Sequence, residues 1–478
     1  MPSYVVTTFG CQMNKHDSIR MEEVLRGAGF SAAPDDDEAE IIVLNTCSVR
    51  EKAEQKLRSE VGRLAVLKRR RPELVLVVAG CMAEQEGRKL ATAFPAIDLV
   101  IGPDHIAELP GLLRQIELGA PPLVCTGFDL DAPRFLTAPT VSRGRACAYV
   151  TTMKGCNERC SFCVVPFTRG PERYRPSGEI LGEVRELVAA GVREVTLLGQ
   201  TVNSYTDPNR QLPPAPGADA ADPGESEFAA LLRLLAGEAP GLWRLRYEAP
   251  HPRHLGASLI QAHRDLEVLA RHVHMPVQSG SDAVLRRMIR RHDRAEYLER
   301  IARLRAARPE LTVSTDIIVG FPGETEQDFQ QTLTLLDEVG FVGVFGFMYS
   351  PRPNTAALRL GDTVPEPVKA ERLQRVFQHS EAQLQRHLLS LVGTEQHVLF
   401  EGPSKSHPEH PSGRSERNEI IHVVDAEGLD LTGELCAVEV VEALGHSLLA
   451  KLGPAERARL ASRSRSEGGS RAEPPSAQ

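Results

Sequence analysis

Residues 148–163 read AYVTTMKGCNERCSFC. The first six form a strand pattern. The last nine place cysteines at 156, 160 and 163, separated by three residues and then by two. A disulfide between two of them would leave the third over. A metal cluster uses all three, because thiolates bind soft metals and closely spaced ligands close small loops at little entropic cost. A cubane iron–sulfur cluster takes four cysteines. Three here leave one iron without a protein ligand and open to a small molecule. Zinc is a competing reading, but no fourth ligand stands nearby. Buried free thiols are the plainest alternative.

Downstream of this loop, strands and helices alternate. Helix Glu179–Ala190 carries the stripe Ile180, Val184, Leu187 and Val188. Further strands are expected at 194–199, 243–248, 272–277, 311–319 and 343–349, with helices at 227–236, 255–270, 294–307 and 325–339. With 148–153 that makes six strands, which suggests an α/β barrel, complete or partial. Active sites of such barrels lie at the C-terminal strand ends, where the cysteine loop begins. One connection carries DPNRQLPPAPGADAADPGES (207–226), a composition expected of a mobile surface loop.

Upstream, residues 1–115 show the same alternation. YVVTTF (4–9), IIVLN (41–45), LVLVVAG (74–80) and DLVI (98–101) are apolar runs, as in strands covered on both faces. Helices are expected at Asp17–Gly27, Arg50–Leu67 and Ala83–Phe94. Cys11, Cys47 and Cys81 each follow a strand, in TTFGC, VLNTC and VVAGC, 36 and 34 residues apart. Neighbouring strand ends of a parallel sheet point the same way, so these thiols are expected at one rim. Three thiols again suggest a cluster with an open iron. The plainer reading is that small residues suit tight turns. Cys125, Cys147 and Cys436 fit neither pattern and read as ordinary thiols.

The remaining segments complete an α/β organisation: an N-terminal parallel-sheet domain at 2–118, a linker at 116–145, a barrel-like core at 142–384 and a small all-β domain at 388–453. Residues 454–478 read as a disordered tail. With 478 residues the chain exceeds one ordinary domain, and 41% hydrophobic residues suffice for several cores. No apolar run approaches the roughly 18 residues of a membrane span, and the N-terminus lacks a leader pattern. A cytoplasmic chain without membrane contact is expected. Lys+Arg 56 against Asp+Glu 64 is not the bulk charge of a nucleic-acid binder. Three local clusters are candidates for that role: Lys68–Arg71; Arg169, Arg173 and Arg175; and Arg286, Arg287, Arg290, Arg291 and Arg294. The alternative for each is a solvated face.

CxxxCxxC after a strand resembles the radical S-adenosylmethionine (SAM) superfamily, in which the open iron holds SAM. The resemblance implies SAM contacts at Gly199 and Gln200, which end the second strand, and at Ile318, with Glu324 following. It also makes Gln278, Ser314 and Asp316 candidate polar contacts. Three strand-end cysteines, such a core and a terminal β module together resemble the methylthiotransferases, to about residue 454. GCQMN (10–14), NTCSVREKA (45–53) and CVVPFTRG (163–170) resemble the branch of that family acting on N6-(dimethylallyl)adenosine in tRNA. The terminal domain resembles the TRAM module, an RNA-binding β-barrel.

The resemblance implies two [4Fe-4S] clusters, one on Cys156, Cys160 and Cys163 and one on Cys11, Cys47 and Cys81. It implies SAM cleavage at the first, hydrogen removal from C2 of the adenosine at position 37, and delivery of a methylated sulfur from the second. The substrates would be tRNAs reading codons that begin with uridine. It further implies a monomer, an electron donor such as flavodoxin or ferredoxin, and a sulfur donor of unknown kind. Sister enzymes that modify threonylcarbamoyl adenosine or a ribosomal-protein aspartate are the alternative, and an iron–sulfur RNA sensor without turnover is a third reading. Three features depart from the pattern. The 207–226 insertion is extra. The stretch Glu248-Ala249-Pro250-His251-Pro252 lacks small hydroxyl residues before His-Pro. Residues 388–454 hold four Lys/Arg, including Lys405, Arg414 and Arg417, against eleven Asp/Glu. Either a local face at those three binds RNA, or the core does more of it.

Overall fold

The computed structural model describes residues 2–460 except 49–50, 132, 138–143, 220, 223, 406 and 427–428. The N-terminal strands Ser3–Phe9, Ile41–Thr46, Val75–Gly80 and Leu99–Ile101 pair in parallel in that order. Two more strands flank them, Ser31–Ala32 beside the first and Leu123–Cys125 beside the last. Their side chains alternate between two cores. Ile42, Leu44, Leu76 and Val78 meet Leu57, Val61 and Leu64 of helix Glu51–Arg70. Ile41, Val43, Val77 and Ala79 meet Met21 and Leu25 of helix Gln12–Gly27. Burial on both faces is why these strands read as continuous apolar runs.

Three expectations change here. The segment 116–145 is not wholly linker, because Leu123–Cys125 completes the sheet by pairing with Leu99–Ile101. That strand also carries the N-terminal unit beyond residue 118. The single helix expected at Ala83–Phe94 is two, Cys81–Glu86 and Arg88–Ala93, broken at Gly87, whose φ of 47° lies in the left-handed region.

The core strands Cys147–Thr151, Glu194–Leu198 and Arg244–Tyr247 form one parallel sheet, and His272–His274, Thr312–Val319 and Gly343–Met348 another. An isolated bridge, Leu245 with Leu269, ties the first sheet to the segment just before the second. The first and last strands each have one strand neighbour, so the barrel is partial and open along one side. Its helices pack outside through a single core that includes Phe228, Tyr297 and Phe329.

The 207–226 segment was expected to be mobile, yet its ends are pinned. Asp207 is buried and accepts from the Ser177 hydroxyl at 2.7 Å and from the Gln211 backbone at 3.0 Å. Glu225 accepts from the hydroxyl and backbone N–H of Ser258. Carboxylates at both ends supply the packing that the Pro/Ala/Asp composition does not.

A helix not read from the sequence, Glu366–Ser390, runs from the core into the terminal domain and buries Leu388 there. The β domain is a closed barrel of Glu395–Pro403, Pro411–Arg414, Ile420–Val423, Leu448–Leu452 and Leu435–Ala443. Residues 454–460 are helical, and Leu460 is buried in that barrel's core. The expected tail therefore starts too early, because its first turns keep an apolar anchor; 461–478 lie outside the described residues. The barrel docks at the N-terminal ends of the core strands, away from the cysteine loop. Arg244 and Arg246 donate to the carbonyls of Arg414 and Ser415 at 3.1 and 2.9 Å. No described helix is long and apolar enough to cross a membrane.

The N-terminal and core units meet across buried charge. Glu183 pairs with Arg20 at 2.6 Å and with Arg175, and Thr151 meets the His16 ring at 2.9 Å. Burial holds the His16 imidazole down to about 4, and His263, His272 and His292 down to about 3. These folded values lie below the unfolded value of about 6.5, so between about 4 and 6.5 the unfolded chain binds more protons. Stability is therefore complete above that window and falls with acidification, by about 1.4 kcal/mol per pH unit per histidine. Urea midpoints should drop steeply from pH 7 to pH 5, and His16→Gln should make the drop shallower; equal slopes would refute the assignment for His16.

Candidate metal centres

Strand register builds the N-terminal trio. Phe9 pairs with Thr46, and Thr46 with Gly80. The next residues along these three adjacent strands are Gly10, Cys47 and Cys81, and Cys11 follows one step on. A glycine makes room twice. A Cβ on Gly10 would sit 2.3 Å from the Cys47 Cβ, and one on Gly80 would sit 2.3 Å from Asn45 Oδ1. Both glycines have positive φ, 129° and 93°.

A buried amide pair secures the start of the first helix at this rim. Asn14 Nδ2 donates to Asn45 Oδ1 and to the Thr46 carbonyl, each at 3.0 Å, and Asn45 Nδ2 donates to the Asn14 carbonyl at 2.8 Å. The Cys11 thiol reaches Asn14 Oδ1 at 3.2 Å. A hydrogen bond with Cys47 outweighs burial and lowers the Cys11 thiol to about 6, with Arg169 adding its charge. Cys81 is buried and pushed up, although Arg169 opposes the shift.

The second trio sits on one closed loop. Met153–Lys154 pairs antiparallel with Arg173–Tyr174, and the Cys156 N–H donates to the Gly170 carbonyl at 3.1 Å. Gly155 has φ 77°, and a Cβ there would lie 1.9 Å from the Pro171 carbonyl oxygen, so only glycine allows this closure. Ser161 anchors the tip, its N–H donating to the Met288 carbonyl at 2.9 Å and its hydroxyl to that of Arg287 at 2.8 Å. Cys156 Sγ lies 3.0 Å from the Thr201 hydroxyl, and Arg290 donates to Cys160 Sγ at 3.4 Å. Burial raises the Cys156 and Cys163 thiols to about 11 and about 12. A bound cation reverses such shifts and takes the thiolate.

All nine cysteines are free. Tetrahedral zinc needs its sulfurs about 3.8 Å apart. Among the described residues, only His105, Glu108 and Cys125 bring three ligand atoms within 4.8 Å of one another, where the short helix Pro103–Glu108 meets the edge strand. Three thiolates apiece are the donor chemistry of an iron–sulfur cluster. Burial raises Cys125 and Cys436 to about 11 and Cys147 further, as for ordinary protonated thiols.

The candidate SAM contacts fall into two groups. Gly199 and Gln200 precede Thr201, beside Cys156. A Cβ on Gly199 would meet Met153 at 2.7 Å, and Gln200 Oε1 is buried without a partner, an orphan acceptor at the cysteine loop. Ile318 packs in the small cluster of Met288 and Phe321 that also receives Phe162 of the loop. Gln278, at φ 79°, hydrogen-bonds by its backbone to both Asp316 and Ile318. Ser314 is four residues below Ile318, about 13 Å along the strand. It is engaged by His272 and His274 at 3.0 and 2.9 Å, and Asp316 by His274 at 3.4 Å. No described contact ties Ser314 or Asp316 to the cysteines. Glu324 closes a turn, accepting from the Gly320 N–H at 2.6 Å and from Arg372 at 2.8 Å, so its role here is structural. Burial, against these partners, raises Glu324 to about 7.

The Arg169, Arg173 and Arg175 cluster is not an RNA face. All three are buried and pair with Asp17, Asp104 and Glu183 respectively. Lys68 pairs with Asp98, and Arg71 donates to the carbonyls of Asp37 and Ala39. Arg286 and Arg291 are exposed, near the loop tip. In the β domain, Arg414 pairs with Glu401 at 3.2 Å, and Arg417 with Glu419 at 3.4 Å and Gln396 at 2.8 Å. The off-pattern stretch 248–252 is held by Asn203, which accepts from the His251 N–H at 2.7 Å and donates to its carbonyl at 3.0 Å. Asn14, Asp17, Thr201 and Arg290 were not singled out as site residues. Asn14 lies in the quoted GCQMN stretch and Arg290 in a basic cluster of the sequence, while Asp17 and Thr201, the latter adjacent to Gln200, carry no local signal.

A model described as Uncharacterized protein family UPF0004 matches residues 3–102, and one described as Radical SAM superfamily matches residues 150–336. The chain is 62% identical over 482 residues to a tRNA-2-methylthio-N(6)-dimethylallyladenosine synthase of Sorangium cellulosum, covering 98% of this chain and 96% of that one. It is 45% identical over 448 residues to the synthase so named in Geobacter metallireducens, covering 94% and 97%. Among solved structures, the apo cobalamin-dependent S-adenosylmethionine radical enzyme OxsB superposes with a TM-score of 0.51 at 12% identity, over 80% of this chain and 56% of that one, a likeness of fold alone.

Proposed function

The chain belongs to the family of tRNA-2-methylthio-N(6)-dimethylallyladenosine synthases, radical SAM methylthiotransferases, and we infer from its two cysteine trios how it performs that family's reaction. It adds a methylthio group to C2 of N6-(dimethylallyl)adenosine in tRNA. An unactivated aromatic C–H requires a radical, which a cofactor must supply.

The observation that carries the reading is two sets of three thiols, each at the C-terminal rim of a parallel sheet, on units that share a buried interface. Cys156, Cys160 and Cys163 hold a [4Fe-4S] cluster with one open iron, and Cys11, Cys47 and Cys81 hold a second. When bound, these groups and SAM supply one-electron cleavage at the first site and a sulfur at the second. The chain's own residues set the geometry. Gly155 and the Cys156 N–H close the loop. The Thr201 hydroxyl hydrogen-bonds Cys156 Sγ, and Arg290 donates to Cys160 Sγ. Gln200 Oε1, buried and otherwise unpartnered, would be free to accept from a SAM ammonium. Gly199 and Ile318 shape that pocket, and Gln278 lies at its edge. Ser314 and Asp316, held by His272 and His274 lower on their strand, are left out of that pocket.

The target is position 37 of tRNAs reading codons that begin with uridine. Arg414 and Arg417 are engaged within the protein, which supports a larger share of RNA contact by the core. The enzyme works as a cytoplasmic monomer with a flavodoxin- or ferredoxin-type donor. Anaerobic reconstitution tests the reading: about eight irons, with 5′-deoxyadenosine formed from SAM and reductant, are expected. Four irons would remove the second site. In a deletion strain, tRNA nucleosides should lose the 2-methylthio mark and keep the dimethylallyl group; loss from threonylcarbamoyl adenosine instead would favour the sister activity.

A further inference from the structure

Arg169 stands out among the buried charges. It follows the core cysteine loop by six residues, yet its guanidinium reaches into the other unit. Nε donates to Cys81 Sγ at 3.2 Å, and Nη2 donates to Asp17 Oδ2 at 2.6 Å. Arg169 is 6% exposed, Asp17 6% and Cys81 5%. Asp17 sits on the helix that begins at Cys11, beside His16 at 3.8 Å. The loop's own fold aims this arm: the Arg169 N–H donates to the Val165 carbonyl at 2.8 Å, and Arg173 holds the Arg169 carbonyl at 2.7 Å. A Cβ on the next residue, Gly170, would meet the Phe128 ring at 2.9 Å, so the turn tolerates no side chain there.

We propose that Arg169 is a positioning residue for sulfur insertion, a buried cation that the SAM-binding unit lends to the Cys81 sulfur of the second trio. The inference rests on the reading that this trio holds a cluster. Two consequences follow. Cluster reduction adds negative charge, and N–H···S bonds and nearby cations stabilise the reduced form, so Arg169 raises that cluster's potential. The same arm bonds to both the Cys81 sulfur and the helix after Cys11, so it sets where the second cluster lies relative to the first. Arginine suits the task because its fork donates to two acceptors at once and stays charged when buried.

Potentiometric titration of the fully loaded protein, followed by electron paramagnetic resonance, tests this. In Arg169→Gln the second cluster's midpoint should fall by at least 59 mV, a tenfold change in the one-electron equilibrium, while the first cluster's midpoint stays. Methylthio product per 5′-deoxyadenosine should fall at least tenfold. Arg169→Lys, which keeps the charge and loses the fork, should recover most of the potential and little of the product ratio. Asp17→Asn keeps the N–H···S bond and should not lower the potential. An unchanged midpoint in Arg169→Gln, or an equal drop in Asp17→Asn, would overturn the assignment. If Arg169→Gln does not fold, the Lys and Asn variants decide it alone. If the wild type itself holds only four irons, the two-cluster reading fails instead, which is a distinct result.

Discussion

Cys156→Ala should yield a folded protein that no longer cleaves SAM. The loop closes through backbone contacts, the Cys156 N–H to the Gly170 carbonyl and the Ser161 anchor, and alanine keeps both. The Cβ atom remains, so packing loses one sulfur at a position 9% exposed. The loss falls on chemistry. A three-thiol site has no spare ligand, and removing one leaves two irons without protein donors. Outer-shell mutations at metal sites already cost about 10–100-fold, so loss of a ligand should lower 5′-deoxyadenosine formation by more than about a hundredfold. Iron should fall from about eight to about four per chain. Cys147→Ala, on the strand before the loop, is the control and should keep both. Substantial cleavage by Cys156→Ala would mean that the first site has been misplaced.

Cys47→Ala should separate the two halves of the reaction. Cys47 lies on the middle of the three strands, against Gly10 on one side, so it is the central ligand of its rim. Its loss should empty the second site while the core loop, on another sheet, keeps its cluster. SAM cleavage should then persist, uncoupled from product, with methylthiolated nucleoside lowered by more than about a hundredfold. Mass spectrometry of tRNA digests beside a 5′-deoxyadenosine assay reads both quantities at once. Full methylthiolation by Cys47→Ala would remove the second site from the mechanism.

How much of this was visible in the chain varies with the range of the interaction. The two cysteine sets were legible because they share a residue type and recur at short spacing or at successive strand ends. The three N-terminal positions lie on neighbouring parallel strands, where register alone brings them together. Strand positions in the core were legible for the same reason: apolar runs are a property of contiguous residues. The helix Glu366–Ser390 was missed because its apolar positions are split between two domains, with Val376 in the core cluster and Leu388 in the barrel. The edge strand Leu123–Cys125 was missed because it is three residues long and half-exposed.

Charged side chains were the least legible. Arg169, Arg173 and Arg175 look like a basic patch along the chain, yet each is buried against a carboxylate, two of them (Asp17 and Asp104) from distant segments and one (Glu183) eight residues on. Likewise the ligand trios say nothing of Arg290, 130 residues from Cys160, or of Arg169, 88 residues after Cys81. The anchoring of the 207–226 segment at its ends was not legible, because Asp207 and Glu225 find hydroxyls 30 and 33 residues away, which composition does not record.

Sequence by itself determined which atoms can hold metal, and the repeating units that bring them to a rim, because covalent order and local periodicity carry both. Only tertiary structure decided which cations serve those sulfurs and which unit supplies them. A guanidinium takes its role from the anion placed within hydrogen-bonding distance, and for Arg169 that anion comes from another domain.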